Sequence, residues 1–117
     1  MLTLPPTVRI WCATTPTDLR RGFDGLAALV RSQLRGDPLS GHLFVFFNRR
    51  ADRLKVLYWD RDGLCLWYKR LEQGRFHFPP ADAVCLELTP GQLQMILDGV
   101  DVQRLHQFKR YRRSTPA

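Results

Sequence analysis

Val8, Ile10 and Cys12 alternate with Arg9, Trp11 and Ala13, the two-residue period of a strand. The period then lengthens. Leu19, Phe23, Leu26, Val30 and Leu34 recur at helical spacing and form one apolar stripe, which predicts an amphipathic helix. Thr15 is placed to cap it, Pro16 to fill its first position, and Asp18 to meet the positive end of its dipole. Gly36, Asp37 and Pro38 end it. Gly22 and Gly25 fall inside this helix, where each costs about 1 kcal/mol relative to alanine. Close packing against a sheet is the expected compensation, with a backbone surface left open to a partner as the alternative.

From His42 onward the pattern becomes a run of strands at residues 43–47, 54–59, 64–71 and 76–78, with turn residues at 48–52, 60–63 and 72–74. Such short-range succession predicts an antiparallel meander. A last strand at 84–88 leads into a second helix, with Thr89 as cap, Pro90 at the first position and Gln92 three residues after the cap, a capping-box pattern. Leu93, Ile96, Leu97 and Val100 give this helix its apolar face, and Gly99 marks its end. The expected fold is α+β: an antiparallel meander of about five strands with two helices packed on one face. Residues 1–103 form a single domain, and 104–117 a basic tail.

Composition adds a partner class. The chain has 117 residues, 44% of them hydrophobic, enough for one core. Its formal charge is +7 and its isoelectric point about 10.0, so polyanions, nucleic acid foremost, are drawn to it before specific contacts form. Fifteen of the eighteen basic residues are Arg. That suits bidentate phosphate contacts, although GC-rich codon usage produces the same excess. The first six residues lack the charged start and apolar run of a signal peptide, and no stretch approaches the roughly 20 apolar residues that span a bilayer. A cytoplasmic location is expected. Cys12, Cys65 and Cys85 are odd in number and lack metal-ligand spacing, which favours buried free thiols.

The residues 60–63, Asp-Arg-Asp-Gly, fit a three-residue hairpin loop at 61–63. In that register Trp59 faces Cys65, Leu57 faces Trp67 and Lys55 faces Lys69. Arg53, Lys55, Trp59, Trp67 and Lys69 would then share one basic, aromatic surface, the platform that a phosphate backbone and its bases require. Leu54, Val56, Tyr58, Leu64, Leu66 and Tyr68 would form the other face. A half-buried sheet with both Trp under a helix is the competing reading, and a two-residue loop at Asp62 and Gly63 would shift the register by one and scatter the platform. Arg49, Arg50 and Arg70 lie around it. In the tail, Arg104, Lys109, Arg110, Arg112 and Arg113 occur with Phe108 and Tyr111 and no acid after Asp101. Such a segment reads as an arm that orders on an anionic partner, or as a solvated terminus.

Catalysis finds less support. The turn accounts for Asp60 and Asp62 without a metal. Asp18 and Asp24 are six apart on the expected helix and point in different directions, and His42, His77 and His106 have no zinc-ligand pattern. Neither a phosphate-binding glycine loop nor a nucleophile elbow is present. No enzymatic activity, metal or cofactor is expected.

Several long motifs occur in order. They are Leu4-Pro5-Pro6 ahead of the first strand, and Thr17-Asp18-Leu19 continuing through Arg20, Arg21, Gly22, Phe23, Asp24, Gly25 and Leu26. Ser40-Gly41-His42 then leads into Leu43 to Phe46, and a final run goes from Trp59 to Leu71. From about Leu4 to Asp101 the chain resembles the accessory proteins, called TnpB, of insertion-sequence family sixty-six. These are unrelated to the RNA-guided nucleases that share the name. The resemblance implies a protein encoded beside the true transposase that assists transposition, the acidic catalytic centre residing in the larger partner. It brings no catalytic residues to this chain. Its motif residues Arg20, Arg21 and Asp24 are candidates for a partner-binding surface. The expected function is non-catalytic binding of DNA at the element's ends, or of the transposase–DNA complex. The alternative is an adapter docking on the transposase or another accessory protein without touching DNA.

Overall fold

The computed structural model describes residues 7–100; the basic residues expected in the tail from Arg104 onward lie outside them. The elements are β1 (Ile10–Ala13), α1 (Phe23–Ser32), β2 (Leu43–Phe47), β3 (Arg53–Asp60), β4 (Gly63–Arg70), β5 (Cys85–Leu88) and α2 (Pro90–Leu97). They build a five-stranded sheet in the order β4-β3-β2-β1-β5. β3 is antiparallel to β2 and to β4, and β5 is antiparallel to β1. β1 and β2, however, run parallel, with Ile10 opposite Leu43 and Cys12 opposite Val45. The sheet is therefore mixed and not the antiparallel meander expected. A parallel pair cannot be joined by a hairpin, so the chain between β1 and β2 must cross one face of the sheet, and α1 is that crossover.

The same connection corrects the expectation of both helices on one face. Leu26, Ala27 and Val30 of α1 pack with Ala13, Phe44, Phe46 and Leu57. Leu93, Ile96 and Leu97 of α2 pack with Ile10, Cys12, Leu43, Val45, Leu54 and Val56. Because neighbouring strand residues point to opposite faces, Phe44 and Phe46 lie on one side of β2, and Leu43 and Val45 on the other. The helices thus cover opposite sides. β2 reads Leu-Phe-Val-Phe-Phe with every position buried, the continuous apolar run of a strand covered on both faces.

Local details divide along similar lines. The second helix starts as its sequence predicts. Thr89 Oγ1 accepts from the Gln92 amide at 3.1 Å, and Gln92 Oε1 accepts from the Thr89 amide at 2.9 Å. Gly99 follows at φ +78. α1 does not start at Pro16. Its cap is Gly22, because the Thr17 amide bonds to Phe47 O at 2.7 Å and the Asp18 carboxylate accepts the Arg20 amide at 3.0 Å. These contacts hold the preceding segment as a loop against the end of the sheet. Leu19 still enters the α1-side core. Gly22 has open space around it, and a Cβ on Gly25 would meet Arg21 Cβ at 3.0 Å. The side chain of Arg21, and not the sheet, lies over this turn. The expected strand at 76–78 is absent. Instead Phe76, buried, donates its amide to Ala51 O at 2.6 Å, and Phe78 stacks on Phe47 with ring centroids 4.2 Å apart. No helix among the described residues is long and apolar enough to cross a membrane.

Two outcomes follow for stability. A Cβ at Gly36 would lie 2.9 Å from Phe44 Cε1 and 3.2 Å from Cζ, and Phe44 is buried and confined. Gly36→Ala should therefore destabilise the fold by about 1–3 kcal/mol, read as a lowered denaturant midpoint; an unchanged midpoint would show that the ring can yield. Burial pushes the Cys12 thiol up to about 12 from an ordinary 9.0. The unfolded thiol ionises first, so this contribution is complete below pH 9 and is lost as pH rises toward 12. The alkaline loss of stability should be smaller in Cys12→Val, and an identical pH profile for the two proteins would refute the assignment.

Candidate nucleic-acid interface

The β3–β4 hairpin decides which basic side chains can meet. Asp60 pairs with Gly63, leaving Arg61 and Asp62 as a two-residue loop, with Arg61 in the left-handed region at φ 54. Tyr68 therefore stands opposite Lys55, Trp67 opposite Val56, Lys69 opposite Leu54 and Arg70 opposite Arg53. Lys55 and Trp59 lie on the α1 side, and Trp67 and Lys69 on the α2 side. The expected common platform of Arg53, Lys55, Trp59, Trp67 and Lys69 does not form, because Gly63 is a paired strand residue and not the third residue of the loop.

Both lysines are instead engaged within the chain. Lys55 is 8% exposed. Its Nζ donates to Leu19 O at 2.7 Å and Arg21 O at 3.0 Å, and it lies 4.8 Å from the centre of the Tyr68 ring. Lys69 Nζ donates to Leu97 O at 2.9 Å, at the C-terminus of α2, where the helix dipole favours a cation. Trp67 packs against the α2-side core. Trp59 is half-buried.

Arginines gather elsewhere. Arg20, Arg49, Arg50 and Arg53 line an open groove of about 470 Å³ together with Pro16, Thr17, Asp18, Leu19 and Asn48. One wall is the loop before α1, held down by Lys55 and by the Thr17 amide. The other is the β2–β3 turn, where Asn48 Oδ1 accepts from the amides of Asp52 at 3.1 Å and Arg53 at 3.0 Å. Asn48 Nδ2 in turn donates to Asp52 Oδ1 at 2.6 Å, and Ala51 takes φ 56. The side-chain bonds fix the turn and leave Arg49 and Arg50 exposed on it.

The groove contains one carboxylate, and it is already matched. Asp18 Oδ2 lies 2.7 Å from Arg20 Nη2, and this guanidinium, with the Arg20 amide, draws the carboxyl down to about 2. Arg49, Arg50 and Arg53 form no ion pair among the described residues. Arg53 Nη1 lies 3.4 Å from the hydroxyl of Tyr68, which is 47% exposed. Arg70, across the hairpin from Arg53, reaches Glu72 at 3.3 Å. Like charges set opposite each other on a sheet are unfavourable, and a bound anion would relieve them.

Of the residues expected to meet nucleic acid, the groove brings together Arg49, Arg50 and Arg53, with Arg70 across the hairpin from Arg53. Tyr68, expected on the core face, lies beside Arg53, and Arg20, expected on a partner-binding surface, also lines the groove. The two-residue hairpin loop is the signal that would have moved Tyr68. Arg21 and Asp24 are exposed and are not among the groove's lining residues. The described residues contain no cluster of three or more His, Cys, Asp or Glu able to hold a metal ion.

A family model described as IS66 Orf2 like protein matches residues 8–107. Two proteins of Sinorhizobium fredii (strain NBRC 101917 / NGR234) are each 45% identical to the chain. "Uncharacterized protein y4jC" aligns over 98 residues, 84% of either chain. "Uncharacterized protein y4hO" aligns over 101 residues, 86% of this chain and 88% of that one. No solved structure matches.

Lys55→Met should keep the packing of the stem but leave the Leu19 and Arg21 carbonyls without their donor, at a cost of about 1–3 kcal/mol. Hydrogen exchange should quicken at the amides of 17–22 before global unfolding. Unchanged stability and exchange would mean that the ammonium is not what holds this wall. Asp18 sets a pH limit of its own. Its folded pKa is depressed, so the ion pair's contribution is present above the ordinary value of 3.8 and is lost as pH falls through about 2. Asp18→Asn should remove that acid-limb dependence, and an unaltered acid limb would contradict the pairing.

Proposed function

This chain belongs to the IS66 Orf2-like family, and from that premise we propose that it assists transposition of a bacterial insertion sequence by gripping the phosphate backbone of DNA, at the element's ends, through its arginine groove. The family is an accessory one and not a known catalytic family. One observation carries the reading: Arg49, Arg50 and Arg53 line a single open groove and form no ion pair among the described residues. Guanidinium groups are planar, permanently charged and matched to phosphate oxygens in bidentate geometry. Concentrated along one groove, they favour a linear polyanion through release of its counterions. Tyr68 and Arg70 extend the surface along the hairpin. Arg104, Lys109, Arg110, Arg112 and Arg113 would add further charge to the same partner.

A second reading rests on a different feature. Phe23 is 48% exposed in the first turn of α1, between exposed Arg21 and Asp24. A large ring flanked by charges suits docking on another protein, here the transposase or a second accessory protein.

Replacing Arg49, Arg50 and Arg53 together by Ala should leave the circular dichroism spectrum unchanged and weaken duplex binding. In fluorescence anisotropy across a salt series, the slope of log affinity on log salt should become shallower by roughly 2.7, about 0.9 for each of three lost phosphate contacts. An unaltered slope would take the groove out of the account. Co-purification with the transposase after nuclease treatment, lost in Phe23→Ser, would support the docking reading; retention in that variant would remove Phe23 from it.

A further inference from the structure

β4 is the outermost strand of the sheet, and its free side has the properties of a joint. With Asp60 and Gly63 closing a two-residue loop, alternate pairs along the hairpin exchange hydrogen bonds. The bond from the Leu71 amide to Asp52 O at 2.8 Å continues that alternation. The backbone groups of Leu64, Leu66, Tyr68 and Arg70 therefore point away from β3, and among the described residues no strand pairs with them. Edge strands are ordinarily protected by charges, prolines or bulges. The centre of β4, from Leu64 to Tyr68, has none of these, and Lys69, the nearest cation, is turned inward onto α2.

The opposite charges at its two ends suit a second copy of the chain, in which Arg70, 3.3 Å from the exposed Glu72 of its own chain, would face Asp62 of the other copy. Asp62 precedes β4 and Arg70 ends it. We propose that β4 pairs antiparallel with β4 of a second copy of this chain, with Leu66 opposite its symmetry mate. This register places Asp62 opposite Arg70 twice over, once for each copy, and Leu64 opposite Tyr68, engaging the outward amides and carbonyls of Leu64, Leu66 and Tyr68, while the Asp62 amide stays on Asp60 O within its own turn. It leaves one like-charged contact at each end, Asp60 opposite Glu72. Sliding the pairing by two residues, with Trp67 opposite its mate, abolishes both Asp62–Arg70 pairs and sets Asp62 against Glu72. A two-fold axis normal to the sheet keeps the faces of both copies aligned. Two arginine grooves then open on the same side of one continuous sheet. The pairing does not depend on what those grooves bind.

Light scattering on the full chain should give twice the monomer mass of 13.6 kDa. Asp62→Arg should shift the protein to monomer, and Asp62→Arg combined with Arg70→Asp should restore the dimer. Leu66→Pro removes one outward N–H without breaking a β3–β4 bond, so it should yield a monomer with unchanged far-ultraviolet dichroism. The amides of Leu64, Leu66 and Tyr68 should be protected from exchange in the native protein and exposed in Asp62→Arg. A monomeric native protein would overturn the proposal, whether those amides exchange freely or are protected by residues 101–117 of the same chain. A dimer that survives Asp62→Arg would overturn it too, and so would a double variant that stays monomeric.

Discussion

The ammonium of Lys55, buried between the sheet and the loop that precedes α1, is the constraint on which the rest of the site depends. A buried cation is costly unless its donors are used. Here two go to the carbonyls of Leu19 and Arg21 and its charge lies beside the Tyr68 ring. The bonds work in both directions: they satisfy the lysine, and they bind the loop to β3. Together with the Thr17 amide on Phe47 O they set the wall formed by Thr17, Asp18, Leu19 and Arg20 against the turn that carries Arg49 and Arg50.

The cations of the domain accordingly divide by task. Lys55 and Lys69, single point charges on flexible stems, each reach backbone carbonyls on opposite faces of the sheet, one before α1 and one at the end of α2. Arg9 and Arg20 are matched to Glu87 and Asp18. Among the cations that form no ion pair in the described residues, Arg49, Arg50 and Arg53 are the ones that line the groove. Net charge alone would not have distinguished these sets, since every one of these residues counts equally toward +7.

Features governed by neighbours in sequence were legible, and features governed by pairing across the chain were not. The capping box of α2 involves only Thr89 to Gln92, and it forms as read. The start of α1 was misread because a hydrogen bond from Thr17 to Phe47, thirty residues away, overrides a local cap at Thr15. The parallel β1–β2 pair could not be derived from strand order, although the unbroken apolar run of β2 records its burial on both faces. In the hairpin, the difference between a loop of three residues and one of two separates Lys55 from Lys69 and brings Tyr68 to Arg53. Arg49 and Arg50 were legible because a polar turn must be exposed whatever the register. The place of Arg20 in the groove depends on a loop position that only the folded chain defines.

Membership in the IS66 Orf2-like family is compatible with the proposed grip on DNA, and Arg49, Arg50 and Arg53, the residues proposed to make it, form no ion pair among the described residues. The most direct test is a titration of the isotopically labelled chain with a short DNA duplex at low salt, followed by amide chemical shifts. The account predicts that the largest changes fall on the amides of Arg49, Arg50 and Arg53 and on the loop around Arg20, while the β1–β5 edge of the sheet stays still. Changes that avoid the groove, or none at all at low salt, would contradict it.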